Sequence, residues 1–77
     1  MLYDLKESVL VSKREREVLS LIIGEFTSKE IAKRLCISHE TVLSHRKNIM
    51  SKLEARNTAG LVRRAYEYGI FHLKRRR

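Results

Sequence analysis

Residues 27–48 read Thr27-Ser28-Lys29-Glu30-Ile31-Ala32-Lys33-Arg34-Leu35-Cys36-Ile37-Ser38-His39-Glu40-Thr41-Val42-Leu43-Ser44-His45-Arg46-Lys47-Asn48, and this stretch decides the fold. Thr27 stands three residues before Glu30, the spacing of a capping box: the hydroxyl accepts from the Glu30 amide and the carboxylate reaches back. Ile31, Ala32 and Leu35 then form the apolar stripe of a helix about two turns long. Cys36 and Ile37 make a tight turn, with Cys36 read as a small buried residue. Ser38 caps the helix that follows. On that helix Val42, Ile49 and Leu53 lie on nearly one line at about 100° per residue, flanked by His45, Arg46 and Met50. Glu40, Ser44, Lys47 and Ser51 occupy the opposite, polar line. Two helices that cross steeply need a small residue where they approach, and Ala32 supplies it, while Ile37 and Val42 close the shared core beneath the turn. The pattern predicts a helix-turn-helix whose second helix packs along one face and leaves the other free.

The same logic extends outward. Ser12 and Glu15 form another capping box, followed by Val18, Leu19, Ile22 and Ile23 at helical spacing. Gly24 is expected to end this helix by taking the left-handed conformation. Beyond Leu53, the segment Ala55-Arg56-Asn57 interrupts the pattern, and Thr58 is expected to cap a fourth helix. That helix carries Val62, Ala65 and Tyr66 on one face, with Leu61 and Tyr68 elsewhere, and Gly69 is its stop. No strand signal occurs. The expectation is an all-α fold, a four-helix bundle with a central helix-turn-helix, with helices at about 13–23, 28–35, 39–53 and 59–68. Residues 1–11 read as a leader or linker remnant, 12–72 as the domain, and 73–77 as a basic tail.

Size and charge narrow the function. A chain of 77 residues with 43% apolar content holds one modest core and no deep substrate cavity beside it. Seventeen Lys and Arg against nine Asp and Glu give a net charge of +8, which favours polyanions, nucleic acid before anionic membrane. Lys74, Arg75, Arg76 and Arg77 supply half of that excess, and by itself such a tail reads as a solvated chain end. Cys36 is the only cysteine, so neither an internal disulfide nor a thiol zinc cluster can form, which suits a reducing cytoplasm. No apolar run is long enough to span a bilayer, and no signal-peptide pattern opens the chain. An enzyme is not expected. His39 and His45 lie six apart on one helix and point to different sides, and His72 stands far off in sequence. No nucleophile arrangement, acidic cluster, Gly-rich phosphate loop or metal spacing accompanies them, so no cofactor and no metal is expected.

The runs Ser12-Lys13-Arg14-Glu15-Arg16-Glu17-Val18-Leu19, Ser28-Lys29-Glu30-Ile31-Ala32-Lys33-Arg34-Leu35 and Ile37-Ser38-His39-Glu40-Thr41-Val42, with His45, Asn48, Ile49 and Lys52-Leu53, resemble the LuxR/FixJ-type (GerE-like) DNA-binding domain. The resemblance covers residues 10 to 70 or so, with the pieces in order and at compatible spacing. It implies a bacterial transcription regulator, of the kind that serves as the output domain of response regulators in two-component systems. It also implies dimerisation through the fourth helix on a two-fold DNA site. Most members carry an N-terminal receiver or ligand-binding domain, although at least one small member is this domain alone. Two departures stand out. The family usually has lysine after the Thr-Val pair, where this chain has Leu43, which must act differently, for example against a thymine methyl. Members often place glycine one residue later than Gly24-Glu25-Phe26 does, so the first helix is expected to end slightly earlier here.

On that reading the second helix of the motif lies in the major groove of double-stranded DNA. Lys47 is the leading base reader, with Ser44 and Leu43 beside it and His39 and Glu40 in the first turn. Thr27, Ser28, Lys29, Thr41, Arg46 and Asn48 are candidates for phosphate contact. For Arg46 the alternative is that its stem covers apolar surface, and for His45 the expected role is structural. Leu61, Val62, Ala65 and Tyr68 are divided between core and homodimer interface, because one short helix cannot bury all of them against the other three. RNA polymerase is a further candidate partner, a membrane is not, and the location is cytoplasmic. Two other readings stay open. Region 4 of a bacterial sigma factor pairs a similar leading helix with a helix-turn-helix, but there the reading helix falls close to the chain end. A protein-interaction module could use the same bundle, with the tail on membrane or RNA; steep salt dependence and sequence preference would separate it from a DNA reader.

Overall fold

Side-chain oxygens start the four helices, and one backbone motif ends all of them. The computed structural model describes residues 11–71, so the leader assigned to residues 1–11, all but its last residue, and the basic tail lie outside the described residues. Helix α1 runs Lys13–Ile23, α2 Ser28–Leu35, α3 His39–Leu53 and α4 Thr58–Glu67. At α1, Ser12 Oγ accepts from the Glu15 amide at 3.0 Å while the Ser12 amide donates to Glu15 Oε1 at 2.9 Å. Thr27 and Glu30 repeat the arrangement at α2, at 3.1 and 2.8 Å. Ser38 caps α3 without a returning glutamate, because its third helical residue is Thr41, whose hydroxyl pairs with that of Ser38 at 2.8 Å. At α4 the expectation fails by one residue. The cap is Asn57, whose Oδ1 accepts from the Gly60 amide at 2.8 Å, and Thr58 is the first helical residue. Both residue types make good caps, and asparagine one step earlier wins; at the other end α4 stops at Glu67 rather than at residue 68.

Each helix closes with a Schellman turn, a pair of reverse hydrogen bonds around one left-handed residue. Phe26 N–H donates to Leu21 O and Glu25 N–H to Ile22 O at the end of α1. The equivalent pairs close α2 around Cys36, α3 around Glu54 and α4 around Gly69. Only the last of these left-handed residues is a glycine; Glu25, Cys36 and Glu54 have φ of 71°, 58° and 56°. Gly24 therefore does not play the part expected of it, since it keeps φ −77° and the left-handed step falls on Glu25. What a side chain at Gly24 would meet is the Phe26 ring, 3.3 Å from a built Cβ. Cys36 is likewise not a buried residue but an exposed one, because the left-handed turn directs it outward.

The core is drawn from every helix: Val18, Leu19 and Ile22, then Ile31 and Ala32, then Val42, Ile49 and Leu53, then Leu61 and Ala65, with Tyr68 after α4. Helix α3 packs against each of the other three, α1 also meets α2 and α4, and α2 and α4 do not touch. Leu35, Ile37, Met50 and Ala55 lie around its edge. Among the described residues one charged side chain enters this interior. Glu15 is buried, and its Oε1 accepts from Lys52 Nζ at 2.8 Å as well as from the Ser12 amide, tying the start of α1 to the end of α3. Arg16 holds the segment after α4, donating to Ile70 O at 3.0 Å with its guanidinium 5.9 Å from the Phe71 ring centre. No buried side-chain polar atom among the described residues lacks a partner. No described helix is long and apolar enough to cross a membrane.

Candidate nucleic-acid interface

Helix α3 is two-sided because its period and its capping agree. Ser38 fixes where the helix starts, so Val42, Ile49 and Leu53 turn inward and are fully buried. At about 100° per residue, Glu40, Leu43, Ser44 and Lys47 fall within roughly 100° of one another on the opposite side. All four are exposed. These base-reading candidates therefore share one strip, while His39, also exposed, stands at its edge in the first turn. The strip combines an anion, an isobutyl group, a hydroxyl and a cation. Leu43 is 45% exposed, and it is the one large apolar side chain among the described residues with so much free surface. Neither Lys47 nor Lys29 takes part in the three ion pairs among the described residues, which leaves both ammonium groups for an external anion.

The phosphate candidates divide. Thr27, Lys29 and Asn48 are exposed and Ser28 is half-buried, so the first turn of α2 and its unsatisfied amides face outward. Thr41 is exposed, but its hydroxyl is already paired with Ser38. Arg46 is half-buried, and its Nη2 donates to Thr58 Oγ1 at 2.9 Å, joining α3 to the start of α4 and leaving its other guanidinium donors for a phosphate. His45 is half-buried beside the packed line. Arg34 stacks over the Phe26 ring at 4.6 Å, which keeps its charge at the surface beside the α1–α2 turn.

The set proposed for pairing through α4 changes most. Leu61 and Ala65 are fully buried and Tyr68 nearly so, all within the single chain. The core takes three of the four, because α4 lies against both α1 and α3 and gives up its inner line. Of the four residues only Val62 keeps surface. The outer line of α4 consists of exposed Ala59 and Arg63 with half-buried Val62 and Tyr66, and Arg63 pairs along it with Glu67 at 2.8 Å. Two contributions were not visible in the sequence: Lys52 as the partner of Glu15, and Arg16 as the anchor of residues 70–71. Both bridge long separations, and no local pattern marks them.

A shallow cleft at the α3–α4 junction is lined by Arg56, Arg63 and Arg64 with Glu54 and Asn57. Among the described residues no group of His, Cys, Asp or Glu is placed to hold a metal ion.

Comparison with known proteins agrees with the geometry. Residues 9–65 match the family described as bacterial regulatory proteins, luxR family. The chain is 45% identical over 60 residues to the transcriptional regulatory protein MctR of Rhizobium johnstonii, covering 78% of this chain and 28% of the relative. It is 44% identical over 60 residues to the transcriptional regulatory protein FixJ of Rhizobium meliloti, covering 78% of this chain and 29% of that one. With the spore germination protein GerE of Bacillus subtilis, identity is 46% over 50 residues, 65% of this chain and 68% of the relative. The matched segment thus spans under a third of the first two relatives and about two thirds of the third.

Proposed function

The chain belongs to the luxR family of bacterial regulatory proteins, and on that premise we propose that it reads a two-fold DNA site as a homodimer, with α3 in the major groove. The family assignment makes it the DNA-binding domain of a transcription regulator. The observation that carries the finer reading is the exposed strip Glu40-Leu43-Ser44-Lys47, set opposite the buried line of the same helix. A helix fits the major groove only if one face is free and carries groups that match base edges. Lys47 donates to guanine O6 and N7, Glu40 accepts from cytosine N4, and Ser44 serves either donor or acceptor. A well-placed pair of this kind is worth about 1–3 kcal/mol of discrimination against the wrong base. His39 reads or positions from the edge of the strip.

Helix α2 braces the motif across the backbone. Its first-turn amides, Thr27, Ser28 and the free ammonium of Lys29 take phosphate, and Asn48 and Thr41 add contacts from α3. These groups set register and supply much of the affinity by releasing counterions, while the strip supplies the choice of sequence. Pairing of two chains uses the outer line of α4, Ala59, Val62, Arg63 and Tyr66, since the inner line is spent in the core.

The test is a binding titration against a randomised duplex library, with bound DNA sequenced at two salt concentrations. Enrichment of a two-fold symmetric motif by the wild-type chain, lost in Lys47→Ala, is the expected result. Uniform binding that disappears at moderate salt would mean that charge alone drives association, and the assignment of α3 as reading helix would have to be withdrawn.

A further inference from the structure

We infer that Leu43 is a specificity residue that selects a thymine in each half-site by packing against its C5-methyl group. The inference rests on the major-groove reading above and adds to it a named base and a chemical contact. Every other large apolar side chain among the described residues is buried or half-buried, whereas Leu43 is 45% exposed on the polar strip of α3, beside Lys47. Nothing inside the chain accounts for it. It is not one of the core residues of α3, which are Val42, Ile49 and Leu53. Helix formation does not require it either, since lysine, glutamate or glutamine would serve α3 about equally well at an exposed position.

Its neighbours on the strip each carry a hydrogen-bonding or charged group. An isobutyl group can neither donate nor accept, so it is blind to the donor and acceptor code of the groove. The one apolar feature a base edge shows there is the thymine methyl, and an apolar side chain against it is the matching contact. Position narrows the choice further. Leu43 and Lys47 are one helical turn apart, about 6 Å along the axis. Base pairs stack every 3.4 Å or so, so the selected thymine lies within about two base steps of the base that Lys47 reads.

The experiment is a methyl-deletion scan on the symmetric duplex enriched by the wild-type chain. Each thymine in turn is replaced by deoxyuridine, which keeps every hydrogen-bonding group and removes only the methyl. Affinity is measured for the wild-type chain, Leu43→Ala and Leu43→Lys, with circular dichroism verifying that the variants keep their helices. One thymine per half-site should weaken wild-type binding when demethylated, by roughly fourfold per half-site, the worth of one methyl-sized group taken from water. Both variants should be indifferent to that replacement, and their own library selections should lose thymine at that position while keeping the rest of the motif. A wild-type chain insensitive to every deoxyuridine would overturn the inference and leave the groove reading standing. So would sensitivity that persists undiminished in Leu43→Ala. If the wild-type chain enriches no motif, both the inference and the groove reading fall.

Discussion

The Glu15 carboxylate takes part in three interactions at once. It completes the capping box of α1, lies buried against the core, and receives the ammonium of Lys52 from the far end of α3. Burial pushes its pKa up, while the hydrogen bonds from Lys52 and Ser12 and the charge of Lys52 pull it down, and the pull prevails, holding the group below its ordinary value of 4.5. A carboxyl with a depressed folded pKa stabilises the fold fully above its unfolded pKa and loses that contribution as pH falls through the folded value. Urea midpoints of the wild-type chain should therefore hold steady down to about pH 5 and then fall more steeply than those of Glu15→Gln. At neutral pH Glu15→Gln should cost about 1 kcal/mol, a modest figure because Lys52 is 40% exposed and its charge is screened. Glutamine can still close the capping box, so parallel acid profiles for the two proteins would show that the charge pair contributes nothing. The residue scale is also where the sequence is least legible. The capping box is visible from a spacing of three, but a partner 37 positions away is not. The strip on α3 belongs with the visible part, since one period and one cap generate it.

Helix boundaries were legible because caps are local chemistry. Ser12, Thr27 and Ser38 act within one turn of themselves, and the first three helices begin and end where their spacing implies. At α4 two capping residues stand side by side, and composition alone does not rank Asn57 above Thr58. The C-terminal turns follow a different physics. A Schellman closure puts its left-handed step just past the last helical turn, on whichever residue stands there, glycine or not. That is why Glu25 carries φ 71° with Gly24 immediately before it, and why Glu54 carries 56°. A left-handed residue other than glycine costs about 1–2 kcal/mol, part of which returns through the extra freedom glycine has when unfolded. Glu25→Gly and Glu54→Gly should each raise stability by about 0.5–1 kcal/mol, read as a higher urea midpoint at unchanged slope, and Glu25→Val should lower it. A drop in stability for both glycine variants would mean that the glutamate side chains make compensating interactions, and that the strain argument is wrong.

At the scale of the whole molecule, burial within one chain decides what remains for a second. Because α4 lies on α1 and α3 together, its inner line closes the core, and the composition of the helix could not reveal how much of it the crossing would consume. The surface left over on α4 is one stripe around the half-buried Val62 and Tyr66, with Ala59 and Arg63 exposed beside them, little apolar area for a pairing surface of the standard size. Two copies meeting on that stripe would associate weakly in free solution, whereas two half-sites on one duplex hold them at an effective concentration in the millimolar range. Dimerisation should thus be a property of the DNA complex. Sedimentation of the free chain is expected to give monomer, and sedimentation with a symmetric duplex two chains per site. Val62→Glu, which puts a charge in the middle of the stripe and leaves the core residues untouched, should keep the wild-type thermal midpoint within a few degrees. On the symmetric duplex it should lose at least tenfold in affinity, while binding a single half-site as the wild-type chain does. The pairing surface would have to be sought elsewhere if Val62→Glu bound both duplexes like the wild-type chain, and the two-fold reading itself would fail if one wild-type chain saturated the symmetric site.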